Sequence, residues 1–282
     1  MEKLKMQWLD FFREAHFSDD WWGRKKQSCE ERDAEIVSIQ GDGHIHQTLR
    51  YDNKKIYNYL LHLAFLIKQK GHFYLEETVI SYQFRLKNGE VAEHRKIETP
   101  DKNGTAAIQP EDMLREDEMQ RFTYDRHAAV QYAERWWNSY NPEFRKFDVD
   151  CTNYVSQCLY AGGAPMWGAP NRERGWWYSG DNWSFSWAVA HSLRWYLSGS
   201  EQGLKGKEVE SASDLIPGDI ICYDFEGDGR YDHNTIVVTK DANGMPLVNA
   251  HTDNSRNRYW AYEDSAAWTP NIQYKFFRIG EE

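Results

Sequence analysis

Four cysteines in 282 residues, Cys29, Cys151, Cys158 and Cys222, are too few and too scattered for a disulfide framework. No two of them stand in the CxxC spacing of a zinc site. No stretch approaches eighteen consecutive apolar residues, so no helix is expected to span a membrane. Positive charge is also in deficit. With 34 basic against 44 acidic residues the formal net charge is −10, and a field of that sign repels phosphate backbones. General nucleic-acid binding is therefore not expected. The opening residues MEKLKMQWLDFFREAHF carry charges throughout and lack the uninterrupted apolar stretch of a secretory signal. These absences leave a soluble chain with free thiols in a reducing compartment.

What is present is aromatic surface: 13 Trp and 17 Tyr, within a hydrophobic content of 40% that suffices for a substantial core. The length accommodates two domains. Residues 99–120, TPDKNGTAAIQPEDMLREDEMQ, are polar, contain two prolines and an Asn-Gly pair, and break the periodicity on either side. They are the expected linker between an N-terminal domain, 1–118, and a C-terminal domain, 119–282. In the first domain a helix near 3–16 precedes EIVSIQ and HIHQTLRY, which read as strands. KIYNYLLHLAFLIKQK has apolar residues on more than one face and reads as a buried helix or a strand pair. HFYLEETVISYQFRL and VAEHRKIE flank a KNGE turn and read as a hairpin. Helices laid on a curved antiparallel sheet would be an α+β, NTF2-like arrangement, a candidate for substrate positioning or for homodimerisation.

Beyond the linker, helical periodicity runs through 124–140, restarts at Cys151 and returns over 186–197. Strands follow at 218–225, 233–240, 246–251 and 272–279. Helices first and an antiparallel sheet second make this domain α+β as well.

The stretch DCTNYVSQCLYAGG, residues 150–163, holds two of the cysteines. Asp150 suits an N-cap, its carboxylate able to accept from an amide one turn inside the helix. Cys151 is then the first helical residue, at the positive end of the helix dipole, where a thiolate is favoured and the pKa falls. Cys158 lies almost two turns on, roughly 10 Å along the axis, beyond disulfide reach. With Val155 and Leu159 it forms an apolar face and is a core thiol. A thiolate needs a base, and two downstream histidines border apolar strands: His233 opens HNTIVV and His251 closes PLVNAH. The DANG turn between these strands brings both to one end of a hairpin, about three residues out of register unless a bulge corrects it. The constellation is Cys151 as nucleophile, His233 as base and His251 orienting His233.

RFTYDRHAAVQYAERWWNSYNPEFRKFDVDCTNYVSQCLYAGGAPM, followed by DLIPGDIICYDFEGDGRYDHNTIVV and VNAHTDNSRNRYW, resembles the amidase domain of Gram-positive, spore-forming bacteria. That family is similar to NlpC-type and CHAP-type cell-wall peptidases of the papain-like class. The likeness covers about residues 121–280. It implies a papain-like fold, Cys151 as the nucleophile, His233 as the base and His251 as the third polar residue. The histidines stand 18 residues apart, a longer gap than NlpC-type enzymes have, so Asp253 and Asn254 are the substitutes for the third role. The implied activity is cysteine-dependent hydrolysis of an amide bond, with peptidoglycan stem peptides as substrate, no required cofactor, and a cytoplasmic or spore-associated location.

Other features carry a functional and a plainer reading. DFEGDGRYD places Asp224, Glu226, Asp228 and Asp232 at calcium-loop positions 1, 3, 5 and 9, but position 12 is Thr235 rather than glutamate. A Gly-Asp-Gly turn is the favoured reading over a structural calcium site. His44 and His46 share one face of a strand without a third ligand nearby and read as ordinary strand histidines. Trp167, Trp176, Trp177 and Trp183 crowd a loop-rich stretch, either as an aromatic rim for substrate or as anchors pinning the loop. The competing function is a binding module for wall fragments, an aromatic groove with an inactive cysteine.

Overall fold

A computed structural model of the chain describes residues 2–13, 20–51, 54–87, 90–97 and 122–280. The expected linker, 99–120, and the boundary at 118/119 lie outside the described residues. The chain divides into two compact units, Met1–Glu98 with Tyr262–Ala266, and Thr99–Ala261 with Ala267–Glu282. Each is α+β, built on antiparallel strand pairs.

In the first unit, α1 (Glu2–Arg13) and α2 (Trp21–Glu31) precede a meander of β1 (Ala34–Tyr51), β2 (Lys54–Gln69), β3 (His72–Lys87) and β4 (Glu90–Lys96). KIYNYLLHLAFLIKQK is a single strand, β2, rather than a helix or a strand pair. Tyr59, Leu61, Leu63, Phe65 and Ile67 alternate into the core, as a pleat requires. Leu60, Ala64 and Leu66 between them are also apolar, which hides that period in the sequence. EIVSIQ and HIHQTLRY likewise form one strand, continuous through irregularities at Ile36/Ser38 and Ile45/Gln47. The hairpin joining β3 and β4 forms as expected, with Lys87 opposite Glu90. Trp8, Phe12 and Trp22 of the two helices pack on the buried row.

The polar segment carrying Cys29 is helical, and Cys29 is buried. Lys25 and Arg32 converge beside it on Glu76, at 2.5 and 2.7 Å, and Asp264 adds a second carboxylate 3.2 Å from Lys25 Nζ. Burial alone would raise the Glu76 pKa, but the two cations outweigh it and hold the carboxyl below its usual range.

The second unit places α3 (Arg126–Trp136), α4 (Cys151–Ala161), α5 (Phe185–Ala188) and α6 (Ala190–Gly199) with a sheet of strand order β11-β10-β9-β8-β12-β7. The strands are β7 (Gly206–Val209), β8 (Ile220–Asp224), β9 (His233–Lys240), β10 (Pro246–Ala250), β11 (Asn254–Tyr259) and β12 (Gln273–Ile279); β5 (Tyr178–Ser179) and β6 (Asn182–Trp183) form a separate small ladder. β7 and β11 have no counterpart among the expected strands, because GKEV and NSRNRY lack an apolar alternation. α4 is central. Every residue from Cys151 to Leu159 is buried, and its Tyr154, Val155, Cys158 and Leu159 pack with Ala129 and Ala133 of α3, Leu193 of α6 and Cys222, Ile236 and Val238 of the sheet.

Asp219, fully buried at the Pro-Gly-Asp opening of β8, ties this unit together. Its carboxylate accepts from Arg126 Nη1 at 2.6 Å and from the amides of Ile216 and Ile279 at 2.8 and 3.0 Å. Among the described residues no helix is long and apolar enough to cross a membrane.

Candidate active site

Three chain segments meet at the start of α4: the loop leading into it, the first residues of β9 and the end of β10. Asp150 precedes the helix, but the expected capping bond to an amide inside it does not form. The carboxylate is engaged elsewhere. Oδ1 accepts from Phe147 N and Asn153 Nδ2, both at 2.9 Å, and Oδ2 lies 2.7 Å from His251 Nδ1. The backbone amide of Asp150 donates to the Thr252 hydroxyl at 3.3 Å. Thr252 adopts φ +90°, a conformation that a β-branched residue reaches only when its surroundings impose it.

Cys151 is 2% exposed. Its sulfur lies 3.7 Å from the Thr152 hydroxyl and receives the backbone N–H of Asn234. Burial pushes the thiol pKa up, and these two hydrogen bonds offset it only in part. The lowered pKa expected from the helix dipole alone is thus reversed: the dipole acts through the first turn, while desolvation acts on the whole thiolate charge. The resting nucleophile candidate is a neutral thiol.

β9 orients its first residues by strand alternation. Asn234 faces the helices and donates Nδ2 to Thr152 Oγ1 at 2.9 Å, with Ile236 and Val238 following on the same face. Asn234 is fully buried, and its Oδ1 has no hydrogen-bond partner. His233 faces the other side of the strand, its ring centroid 5.6 Å from that of Tyr223 and 6.1 Å from that of Phe225. Burial, reinforced by Arg258, drives the His233 pKa down to about 3, so the imidazole is neutral at physiological pH.

β10 and β9 pair as expected, and the predicted register correction is a bulge between Leu247 and Val248. Continued past Asn249–Ile236, that register brings His251 level with Asn234. The His251 ring accordingly lies on the helix side, the face Asn234 takes, and not on that of His233. Nδ1 meets Asp150, Nε2 meets the Trp136 carbonyl at 2.8 Å, and the ring stacks on Tyr154 at 4.0 Å and lies tilted 4.8 Å from Tyr140. Both ring nitrogens are therefore engaged by the scaffold around α4. Of the substitutes for the third role, Asn254 opens β11 and bonds Tyr140, and Asp253 lies just before it in the β10–β11 turn.

The tryptophan-rich stretch divides in two. Trp176 and Trp177 are 0 and 2% exposed and serve as core anchors rather than rim. Trp176 donates to Ser156 Oγ on α4 at 3.0 Å, and Trp177 to the carbonyls of Asn171 and Arg174. Trp167 is half-buried and donates to Tyr196 OH at 2.6 Å. Trp183 is also half-buried. It meets Phe147, of the loop before α4, at 4.8 Å, and both Arg145 and Arg172 lie over its ring. Neither arginine was foreseen; an Arg-Lys-Phe run just ahead of the nucleophile was the available signal.

The acidic loop after β8 is a turn organised by Asp224, and the carboxylates of Asp224, Glu226 and Asp232 gather within 4.8 Å of one another. Asp224 spends its carboxylate on the amides of Gly227 and Gly229, both at 2.7 Å, and of Asp228 at 3.2 Å. Asp228 accepts from Arg230 N and stays out of the carboxylate group formed by Asp224, Glu226 and Asp232. Burial and the neighbouring Glu226 raise the Asp232 pKa to about 7, and the two carboxyls share a hydrogen bond.

A family model described as "Putative amidase domain" matches residues 123–277. The match takes in α3, the nucleophile candidate and the whole sheet from β7 to β11. Among relatives from Bacillus subtilis (strain 168), "Uncharacterized protein YhbB" is 45% identical over 266 residues, 92% of this chain and 86% of its own length. "Uncharacterized protein YjcM" is 32% identical over 143 residues, 48% of this chain and 32% of that protein. No solved structure matches the chain. With more than half of its residues inside the family model, and a relative aligned along nearly all of it, this chain belongs to the amidase-domain family.

Proposed function

We propose that the protein is a cysteine-dependent amide-bond hydrolase acting on peptides of the peptidoglycan stem. The observation that carries this reading is the setting of Cys151. It is the first residue of a buried helix, its sulfur is in contact with the Asn234 amide, and the neutral imidazole of His233 belongs to the residue just before. One peptide unit separates the histidine from the atom that touches the sulfur, although the ring itself rests on the other face of β9. Family membership supports the reaction class. The substrate rests on the likeness of the DCTNYVSQCL and DH segments to cell-wall peptidases.

In this mechanism both partners start neutral. As the sulfur attacks the scissile carbonyl carbon, its proton passes to the His233 imidazole, whose ring rests against Tyr223 and Phe225 on the far face of β9 and turns to the sulfur side to accept it. The Cys151 backbone N–H, which has no intrahelical acceptor at the first position, steadies the oxyanion. The imidazolium then gives its proton to the leaving amine, and the C–N bond breaks. Water attacks the thioester, its proton returns through His233, and the acid and the thiol are released. His251 acts one step away from the chemistry, holding Asp150 and the start of α4 in place.

The test is mass spectrometry of defined stem peptides incubated with wild type and with Cys151→Ala. New amine and acid termini with wild type, gained water mass included, and intact peptide with the variant are the expected result. Cleavage by Cys151→Ala would refute the cysteine mechanism. Binding without cleavage by wild type would leave the protein a binding module.

A further inference from the structure

Three cations, on the loop before α4 and on the loop after it, have no carboxylate partner among the described residues, in a chain whose net charge is −10. Arg145, Lys146 and Arg172 are all exposed. Arg145 Cζ lies 5.4 Å from the Trp183 ring centroid and 6.0 Å from that of Phe147. Arg172 Cζ lies 5.0 Å from Trp183 and 4.9 Å from Phe185, and its Nε donates to the Trp183 carbonyl at 3.0 Å. Lys146 Nζ sits 3.9 Å over Tyr140. Glu143, Asp148 and Glu173 are neighbours in sequence, yet none forms an ion pair with these cations among the described residues.

The loop that carries Arg145 and Lys146 is fixed to the nucleophile's own helix turn. Asn153 Nδ2 donates to the Arg145 carbonyl at 2.9 Å, and Phe147 N donates to Asp150 Oδ1. The backbone at Arg145 is thereby set relative to the first turn of α4. Both guanidinium groups lie within 5.4 Å of the Trp183 ring centroid, exposed and not neutralised by a carboxylate among the described residues. Two arginines beside one ring, each with N–H donors to spare, suit the recognition of a carboxylate.

We infer that Arg145 and Arg172, oriented by Trp183, bind a carboxylate of the substrate, so that the preferred ligand is an acidic peptide. Lys146 adds to the local positive field. The inference rests on reading Cys151 as the reacting group, since that reading makes this loop the entrance to the site.

The experiment measures equilibrium binding to full-length Cys151→Ala, so that turnover plays no part. The probes are two N-acetylated tripeptides, identical except that one carries a glutamate and the other a glutamine. Trp fluorescence or calorimetry reads the affinity at low and at raised salt. The acidic probe is expected to bind roughly ten-fold more tightly, a modest margin because exposed charges are screened. The preference should shrink with salt, vanish in Arg145→Gln/Arg172→Gln, and persist in part in Arg145→Lys/Arg172→Lys. Equal affinities, no binding of either probe, or a preference that survives the glutamine pair would overturn the inference. Cleavage by Cys151→Ala would instead strike the proposed mechanism, and the binding comparison would still stand or fall by itself.

Discussion

His251 and Asp150 form a buried pair, Nδ1 to Oδ2 at 2.7 Å, that fastens the end of β10 to the residue before the nucleophile candidate. The two side chains are 3 and 2% exposed. Around them the bonds are nearly saturated, with Trp136 O on one side of the imidazole and Phe147 N and Asn153 Nδ2 on the carboxylate. A histidine that reads in sequence as part of a catalytic triad is thus the clamp of a helix start. Four bonds, a stacked Tyr154 and a tilted Tyr140 fix where α4 begins.

Removing one member of such a pair strands the other in a site without water. His251→Ala is therefore expected to lower unfolding stability by about 3 kcal/mol, and Asp150→Ala by as much or more because it also orphans two donors. The double variant should cost less than the sum of the two. Urea titrations of the three proteins measure the coupling, and fully additive losses would show that the pair contributes little. His251→Gln, which can still bond at one end, should recover part of the Cys151 reactivity lost in His251→Ala.

The sequence made the second unit legible where residue types have local consequences. Asp-Cys at a helix start, the Pro-Gly-Asp opening of β8 and the apolar runs of β8, β9 and β10 all lie where periodicity and turn chemistry put them. Tertiary packing decided the rest. β2 hides its alternation because both faces are apolar. Cys29 is buried because Lys25, Arg32 and Glu76 neutralise one another around it, which no pattern of single residues reports. The Cys151 thiol is raised rather than lowered for a similar reason. A helix dipole is visible in the sequence, and the burial that outweighs it is not.

The depressed pKa of His233 has a definite consequence for stability. In the unfolded chain this imidazole takes up a proton near its ordinary pKa of 6.5, whereas in the folded protein it resists until about 3. Between these values the unfolded state binds more protons, so the contribution is fully present above pH 6.5 and is lost as pH falls toward 3. Urea midpoints should decline from pH 7 to pH 4 in wild type, and the decline should be shallower in His233→Gln. Parallel curves for the two proteins would show that the buried ring is not the group responsible.

Because the Cys151 thiol is protonated and buried at rest, its alkylation by iodoacetamide should be slow at pH 7 and should still be climbing above pH 9, without the early plateau of a preformed thiolate. Substrate peptide that opens the site should accelerate it. Cys151→Ala should abolish turnover with little loss of stability. Cys158→Ala, deep in the core, should keep turnover and cost on the order of 1 kcal/mol. A pH-independent alkylation rate between 6 and 9 would contradict the neutral resting thiol.

The tryptophans offer the sharpest separation of scaffold from surface. Trp176 is fully buried, packs tilted 4.8 Å from Trp187 and donates to Ser156 on α4. Replacing it by alanine removes a large apolar side chain, leaves Ser156 without its donor and opens a cavity beside the nucleophile helix. A loss of about 3–5 kcal/mol is expected. Trp177→Ala should behave similarly, since its indole also closes the loop on the carbonyls of Asn171 and Arg174. Trp183 is half-exposed and serves the surface, where its ring carries Arg145 and Arg172. Trp183→Ala should change stability by less than about 1 kcal/mol while weakening substrate affinity. The thermal midpoints of the three variants, with the peptide affinity of Trp183→Ala, read both quantities. If Trp183→Ala unfolds as readily as Trp176→Ala, the aromatic cluster over the arginines is scaffold throughout, and the surface role given to its ring is wrong.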